Sequence, residues 1–230
     1  MIALDHIALW TRNHYRHAYE LSGETGLGSF DGGFFPVHGI AQKIIPLGGD
    51  VYLEVEGIVD FDVFTAGSWI TEAIARNTTA GGCFMGWAVR SDSLDEMKSF
   101  ADYRGVELQH GIAGGYQLMT RPPGTDQMIL TPPVRQSWTI GKPNMYYEPD
   151  LSQHYGRMPA QPGTGSAVGQ GVAWIEIGGA RAELAHWLGP VFDATEAALE
   201  IRYNGGRAGL HAVGVNTTDG ERVIRRQPPR

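Results

Sequence analysis

Two glutamates interrupt an otherwise apolar and aromatic run of the chain. Glu54 and Glu56 lie in Val51–Ile58, and the alternation of side chains along a strand places both on the same face as Tyr52. A buried carboxylate without a partner is costly. Either Lys or Arg pairs with each carboxylate in a structural role, or repulsion between the two raises one pKa and creates a general base. We assign the general base to Glu56.

A histidine occurs in a second β-prone segment, residues 2–10. Strand alternation predicts that His6 shares a face with Leu4 and Ala8. On the residues alone, His6 is either a ligand or a core histidine whose ring hydrogen-bonds a neighbouring strand. Its chemistry depends on whether its strand and the Glu54 strand expose the same face to a cavity.

Two further polar residues, His38 and Gln42, begin and end the run HGIAQ. They either cap a strand entry near the surface or converge on a pocket, where polar residues are few. Trp10 and Tyr52, which lie on the two strands just described, join Gln42 as candidate substrate-binding residues.

The composition is that of a globular protein. Of the 230 residues, 42% are hydrophobic and 19% are charged, which is enough to bury the core of one or two domains. The 32 glycines predict many tight turns. The formal net charge is −7 and Lys and Arg form no basic stripe, so we expect no nucleic-acid partner.

Signals for export and membrane insertion are missing from the sequence. The single cysteine, Cys83, precludes an intramolecular disulfide, and its apolar neighbours predict a buried structural thiol. The first ten residues lack a basic region followed by a long apolar stretch. No window reaches the ~18 apolar residues of a membrane span. We therefore expect a cytoplasmic protein without a membrane partner.

Three segments repeat one order of elements: a strand, a helix and a meander of strands. Asn13 and Ser93 are the expected helix N-caps, Ser93 in a capping box with Glu96, and Gly105 is the expected helix stop. Predicted strands lie at 2–10, 37–47, 51–58, 83–90, 116–120, 127–131, 172–177, 199–203, 210–215 and 222–225, and predicted helices at 13–21, 94–104 and 181–188.

This order predicts an α+β protein built from βαβββ modules, with curved mixed sheets around a cavity and helices on the outer face. The periodicity alone also fits a ferredoxin-like α+β domain. We place two modules at 1–60 and 82–133, and a third at 171–227 packed on the first two. Residues 134–170 are expected to form an irregular connection. Its aromatic run, 138–147, is either a lid over an apolar ligand or a loop packed onto the sheets.

The order of four short runs carries a family resemblance. Residues 4–9 are LDHIAL, followed by HGIAQ at 38–42, PLG at 46–48 and YLE at 52–54. In this order the sequence resembles the glyoxalase-like branch of the vicinal-oxygen-chelate superfamily. The resemblance is closest over 2–58, extends over 82–133, and implies that residues 1–133 form a glyoxalase-like domain.

The same resemblance implies a divalent metal site. In this superfamily a His on the first strand and a Glu on the last strand of a module commonly bind the metal, and the matching residues are His6 and Glu54. We add His38 as a third ligand from its place in the HGIAQ run. Nitrogen and oxygen ligands of this kind suit zinc, nickel, manganese or iron. The second module departs from the pattern, because 85–87 contains no histidine and 128–131 contains no carboxylate.

Two functional hypotheses follow from the resemblance. The first is an enzyme acting on a small oxygenated organic molecule, in which the metal polarises adjacent oxygens and Glu56 or a metal-bound water moves a proton. Lyase, isomerase and dioxygenase-type chemistry all fit this description. The alternative is a metal-free protein that binds or sequesters a small molecule, which the incomplete second module favours. Superfamily members often pair modules within or between chains, so a homodimer is one of the assemblies that the resemblance implies.

Overall fold

The computed structural model describes residues 1–36, 38–62, 69–78, 81–110 and 129–230. Its strands are β1 (Ile2–Thr11), β2 (Phe30–Phe35), β3 (Ile40–Gly48), β4 (Val51–Ile58), β5 (Cys83–Ser91), β6 (Gln109–His110), β7 (Ile129–Thr131), β8 (Asn144–Tyr147), β9 (Gly169–Gly178), β10 (Ile201–Tyr203), β11 (Gly209–Thr217) and β12 (Gly220–Arg225). Its helices are α1 (His14–Thr25), α2 (Trp69–Asn77), α3 (Leu94–Arg104), α4 (Val134–Trp138), α5 (Arg181–Leu188) and α6 (Phe192–Ala198). None of these described helices has the length and apolar character needed to span a membrane.

Eight strands form one mixed sheet in the order β2-β3-β4-β1-β5-β8-β7-β6. At its centre β1 and β5 pair antiparallel, while β1 pairs in parallel with β4 and β5 pairs in parallel with β8. We call β1–β4 the first half-sheet and β5–β8 the second half-sheet. In each half the first strand lies at the centre of the sheet and the last strand lies directly beside it. An approximate twofold axis between β1 and β5 therefore relates the two halves. The predicted α+β class built from βαβββ units is confirmed.

Each of the two central strands, β1 and β5, contains one extra residue that interrupts their pairing. The register between β1 and β5 shifts at Asp5 and again at Met85, and each shift is a β-bulge. Asp5 precedes the helix N-cap Asn13 by eight residues, and Met85 precedes the N-cap Ser93 by eight residues. The two bulges therefore occupy equivalent positions in the two halves.

The bulge at Asp5 changes which face each side chain occupies. Leu4 packs with Ile7 in the main core, whereas the ring of His6 stacks on Tyr52 on the other face of the sheet. The prediction that Leu4 and His6 share a face is wrong, because one extra residue between them shifts the alternation by one position.

The capping signals at the starts of α1 and α3 are confirmed. The side chains of Asn13 and Ser93 each accept a hydrogen bond from the backbone N–H three residues further on. Gly105 ends α3 in the left-handed conformation, with φ 64°. Glu96 hydrogen-bonds the hydroxyl of Ser91 rather than completing a capping box. These caps fix the residue at which each helix begins after the strand that precedes it.

The main core lies on one face of the eight-stranded sheet. Buried apolar side chains of β1, β4 and β5 pack there with α1, α3 and the strands of the C-terminal sheet. Each fully buried Leu, Ile or Phe side chain stabilises the fold by about 1.5–3 kcal/mol. Helices and the C-terminal sheet therefore cover this face, and the polar residues of interest lie on the other.

The last four strands form a separate sheet in the order β10-β9-β11-β12. In this sheet β9 pairs in parallel with β10 and antiparallel with β11. In the first half-sheet, by contrast, the first strand pairs in parallel with the last strand. The C-terminal unit thus has the predicted kinds of element but a different pairing, and it contains the additional helix α6.

The segment expected to be irregular contains regular structure. Within 134–170 the chain forms α4 and β8, and β8 is the parallel neighbour of β5. The second half-sheet therefore ends at Tyr147, beyond the predicted limit of residue 133. The predicted hairpin at 116–131 lies outside the described residues except for β7, and so does residue 37 of the strand predicted at 37–47.

Candidate functional site

His6 and Glu54 meet on the face of the sheet opposite the main core. Because β1 and β4 are parallel neighbours, Ala8 lies opposite Glu54 and His6 lies opposite Tyr52. His6 Nε2 is 3.6 Å from Glu54 Oε1, and the two side chains are only 4% and 8% exposed. The two strands thus bring the imidazole and the carboxyl group together.

The bulge residue Asp5 holds the other side of the His6 ring. Its Oδ2 is 2.6 Å from His6 Nδ1, and its Oδ1 is 3.1 Å from Nε2 of His154. Because the Gly156 N–H donates to His154 Nδ1, His154 carries its proton on Nε2 and donates it to Asp5. Burial opposes ionisation, but the hydrogen bonds from His154 and His6 outweigh it and hold the pKa of Asp5 below its ordinary value. An ionised Asp5 orients His6 with Nε2 toward Glu54.

The side-chain amide of Gln42 joins the two glutamates. Its Nε2 donates to Glu54 Oε2 at 3.0 Å and to Glu56 Oε1 at 3.2 Å. Its Oε1 accepts the backbone N–H of Gly33 at 3.2 Å, which fixes the orientation of the amide. The indole N–H of Trp10 donates to Oε2 of Glu56. Gln42 and Trp10 therefore both contact the carboxyl groups of Glu54 and Glu56, which we call the acid pair.

Burial without a cationic partner sets the protonation of the acid pair. In the described part of the chain, no Lys or Arg contacts Glu54 or Glu56, so the structural explanation by Lys or Arg pairing is wrong there. Burial, with the charges of Glu56 and Asp5, raises the pKa of Glu54 well above its ordinary value. Burial also raises the pKa of Glu56, but hydrogen bonds from Gln42 and Trp10 oppose this shift. Glu54 is therefore the better proton donor and Glu56 the better base.

Aromatic rings enclose His6 on three sides. The ring of Tyr52 stacks on it with centroids 5.1 Å apart, and Tyr146 and Trp138 meet it edge-on at 5.1 Å and 6.1 Å. Burial raises the pKa of Tyr146, and the charge of Glu54 adds to this effect. The phenol of Tyr146 therefore stays protonated and is able to donate a hydrogen bond.

A second group of rings extends the aromatic surface around His6, and we call the two groups together the aromatic wall. Trp10 lies 6.2 Å from Trp69 and 6.5 Å from Trp138, measured between ring centroids. Trp69 is only partly buried, and the exposed guanidinium of Arg135 lies 5.9 Å from the centroid of its ring. The wall thus runs from the buried acid pair toward the surface.

The second half-sheet has no counterpart of His6. Counted from the equivalent bulges, the position of His6 in β1 corresponds to Gly86 in β5. A Cβ atom on Gly86 would overlap the indole ring of Trp138. That ring therefore fills the space that a side chain at Gly86 would need.

The last strands of the two halves differ in the same way. By the register of β4 on β1 and of β8 on β5, Asn144 corresponds to Glu54 and Tyr146 corresponds to Glu56. The side-chain oxygen of Asn144 accepts a hydrogen bond from Trp138 Nε1 at 3.1 Å. The second half-sheet thus contributes neutral side chains where the first contributes carboxyl groups.

These residues do not fit a divalent metal of the kind that family members typically bind. Such a site takes at least three protein ligands, and among the residues with described positions no three His, Cys, Asp or Glu side chains are arranged to hold one. The predicted set of His6, His38 and Glu54 is therefore not assembled. His38 lies in the turn between β2 and β3, and the counterpart of His6 in the second half-sheet is filled by Trp138.

Sequence reasoning found part of this cluster. The structure brings together His6, Glu54, Glu56, Gln42, Tyr52 and Trp10, and among the described residues His38 completes no group of three metal ligands. Asp5, His154, Trp138 and Tyr146 were missed as members. An acidic residue inside an apolar strand was the available signal for Asp5, and the aromatic run at 138–147 was the signal for the two rings. No sequence feature pointed to His154.

Two paired βαβββ halves with a polar site on the shared face define a vicinal-oxygen-chelate protein. A family model described as Glyoxalase-like domain matches residues 4–192, and the chain belongs to this family. A search of curated protein sequences found no match.

Solved structures with a similar fold share little sequence identity with this chain. A hypothetical protein from Staphylococcus aureus has a TM-score of 0.52 and 13% identity, over 81% of this chain and 75% of that chain. Methylmalonyl-CoA epimerase from Mycobacterium tuberculosis has a TM-score of 0.42 and 16% identity, over 63% of this chain and 87% of that chain. A triple mutant of hydroxymandelate synthase from Streptomyces coelicolor has a TM-score of 0.49 and 14% identity, over 83% and 52% respectively. At 13% identity, the likeness to the Staphylococcus aureus protein shows the fold alone.

Proposed function

We propose that this glyoxalase-like protein catalyses a proton transfer on a small oxygenated organic molecule, with Glu54 as the acid and Glu56 as the base. The observation that carries the proposal is the buried acid pair, in which Gln42 bridges two carboxyl groups that contact no Lys or Arg among the described residues. Such a pair costs stability, and perturbed carboxyl groups of this kind cluster at functional sites.

The surrounding groups fit distinct roles in such a transfer. Glu56 accepts two hydrogen bonds that favour its ionised form. Glu54 holds the proton and lies beside His6 Nε2, which is able to take up that proton and return it. The neutral phenol of Tyr146 is a hydrogen-bond donor for an oxygen on which negative charge develops.

The proposed step is an isomerisation through an enol. Glu56 removes a proton from the carbon next to a carbonyl, and the bonding pair of that C–H bond forms the C=C bond of the enol. The carbonyl oxygen takes the proton of Glu54, so no charge is left on the substrate. Glu56 then gives its proton to the other face of the same carbon or to the neighbouring carbon, while an enol O–H returns its proton to Glu54, so that the isomer is released and both carboxyl groups regain their starting protonation. The step consumes no oxidant or reductant.

The other chemistries predicted from the family resemblance fit this site less well. Dioxygenase chemistry needs a redox metal, and the donor set around His6 and Glu54 does not fit one. Lyase chemistry shares the first proton abstraction and differs only in that the enolate expels a leaving group. The experiment below therefore tests the step common to the isomerase and the lyase.

Exchange of substrate C–H protons for deuterium from D2O tests the proposal. Proton NMR of a panel of ketones, hydroxyketones and ketoaldehydes incubated with the protein should reveal exchange of at least one compound. Glu56→Gln should slow this exchange by about 10²–10⁴-fold. Glu200→Gln is the matched control, because Glu200 is an exposed carboxylate paired with Arg202, and it should keep the wild-type rate. Equal rates in wild type and Glu56→Gln, or no exchange with the whole panel, would contradict the proposal.

Binding without turnover is the second candidate function. It is favoured by the mutual hydrogen bonding of the polar groups, because Gln42 and Trp10 already occupy three of the four carboxyl oxygens of the acid pair. Compounds that bind, as measured by calorimetry, but exchange no proton would move this candidate to first place.

The cytoplasmic location and the homodimer remain predictions from the sequence. Light scattering of the purified protein tests the dimer. A mass of one chain, 25.0 kDa, would contradict it.

A further inference from the structure

The charged groups next to the acid pair are negative or already paired. Asp5 is ionised beside His6. The guanidinium of Arg90 donates to the carbonyl oxygens of Leu4 and Asp50 at 2.6 Å and 2.8 Å, and lies 3.9 Å from Asp5. It is therefore engaged with the backbone and with Asp5. The described residues that touch the acid pair offer no free positive charge to a ligand.

The rings beside the acid pair add to this electrostatic character. Trp10, Trp138 and Tyr146 present aromatic surface next to the two carboxyl groups. The face of an aromatic ring carries partial negative charge, which attracts cations and repels anions. The same rings bury flat apolar groups well, because they are rigid and large. The rings therefore suit a planar or cationic group, while the carboxyl groups disfavour an anion.

We infer that the substrate of this site is an uncharged or cationic carbonyl compound with an aromatic or other planar apolar group, and that anionic compounds are rejected. The inference rests on the proposed function in one respect, since it places the substrate carbonyl at Glu54 and Glu56. It excludes carboxylates, phosphates and CoA esters as substrates, because each brings negative charge to a site where the described residues offer no free cation.

Arg135 is a described cation near the outer end of the aromatic wall. It is exposed and lies 5.9 Å from the ring centroid of Trp69. If it recruited anionic compounds, removing its charge would weaken their binding. Arg135→Gln therefore separates a rim contact from a preference set by the acid pair.

A matched trio of acetophenones tests the inference by isothermal titration calorimetry. The probes carry a para substituent that is neutral (methoxy), cationic (trimethylammonio) or anionic (carboxylate). In wild type the anion should bind at least about tenfold more weakly than the neutral probe, and the cation should bind as tightly as the neutral probe or better. In Glu54→Gln/Glu56→Gln the three affinities should fall within about threefold of one another. Arg135→Gln should leave each of the three affinities within about twofold of its wild-type value.

The outcomes separate this inference from the proposed function. Anion binding as tight as that of the neutral probe, an unchanged preference in the double variant, or no binding of any probe would each overturn the substrate class. A selective loss of anion affinity in Arg135→Gln would show that the rim recruits anions, and would overturn it as well. A confirmed charge preference without deuterium exchange would contradict only the proton transfer. Circular dichroism checks that the double variant folds, and the two single Glu→Gln variants, each expected to lower the preference in part, replace it if it does not.

Discussion

The two halves of the central sheet share one design and differ in chemistry. Both have the same strand order, a parallel pairing of first and last strand, and a bulge eight residues before the helix cap. The first half carries His6 and Glu54 at positions where the second half carries Gly86 and Asn144. The fold therefore imposes equal geometry, and the side chains alone make the site one-sided.

This difference explains why the donor set does not suit a metal. A site shared between the halves would need ligands from both, but the indole of Trp138 lies over Gly86 and hydrogen-bonds Asn144. Among the described residues, the second half contributes neutral and aromatic groups at this place. The first half keeps the groups that move protons, so the expected chemistry is that of Glu54 and Glu56.

The largest expected effect is the difference in exchange rate between removing the acid Glu56 and removing the phenol hydroxyl of Tyr146. Glu56→Gln should slow deuterium exchange by about 10²–10⁴-fold, because it removes the base. Tyr146→Phe, at the equivalent position of the second half, should slow exchange by only about tenfold, since it removes a hydrogen-bond donor and leaves acid and base in place. Exchange rates measured by NMR check the ratio. Comparable losses in both variants would show that the halves contribute equally.

An effect of intermediate size is expected on stability, where the ring of Trp138 packs against Gly86 of β5. Gly86→Ala should lower the free energy of unfolding by about 1–3 kcal/mol, because its Cβ overlaps the indole of Trp138. Gly23→Ala is the control, since Gly23 lies near the end of α1 with nothing within 4 Å of the added Cβ. It should stabilise the protein by about 0.5–1 kcal/mol. Urea unfolding measures both, and a neutral Gly86→Ala would contradict the packing of Trp138 against β5.

The smallest effect is the part of the pH dependence of stability that Glu54 of the first half contributes. Because the pKa of Glu54 is raised above its ordinary value of 4.5, the folded protein binds more protons than the unfolded chain above that value. Stability therefore falls as pH rises from 4.5 through the raised pKa. Glu54→Gln should flatten this fall, because glutamine cannot take up the proton that the folded protein binds at Glu54. Parallel unfolding curves for wild type, Glu54→Gln and Glu200→Gln test it, and identical profiles would contradict the raised pKa.

Local signals in the sequence were sufficient for much of the first half. Caps at Asn13 and Ser93 located the starts of two helices, and strand alternation placed Tyr52, Glu54 and Glu56 on one face. These features depend on residues close together in the chain. They could be predicted because the alternation of side chains along a strand and the capping of a helix depend only on neighbouring residues.

The remaining features depend on contacts between distant segments. The bulge at Asp5 follows from the pairing of β1 with β5, which strand alternation alone does not reveal. β8 has only four residues and lies in a stretch rich in turn-forming residues, so it carried no clear strand signal. His154 reaches Asp5 across 149 residues of sequence. The incomplete ligand set of the second half was visible in the sequence, but the ring of Trp138 that replaces it was not.

The metal content of the purified protein tests the central claim most directly. The chain should be produced with zinc, nickel, manganese and iron supplied in the medium, and its metals measured by elemental analysis after desalting. The one-sided site predicts far less than one equivalent of any of these metals, with no difference between wild type and His6→Ala or Glu54→Ala. One equivalent of metal in wild type that is lost in both variants would contradict the account, and would restore His6 and Glu54 as metal ligands.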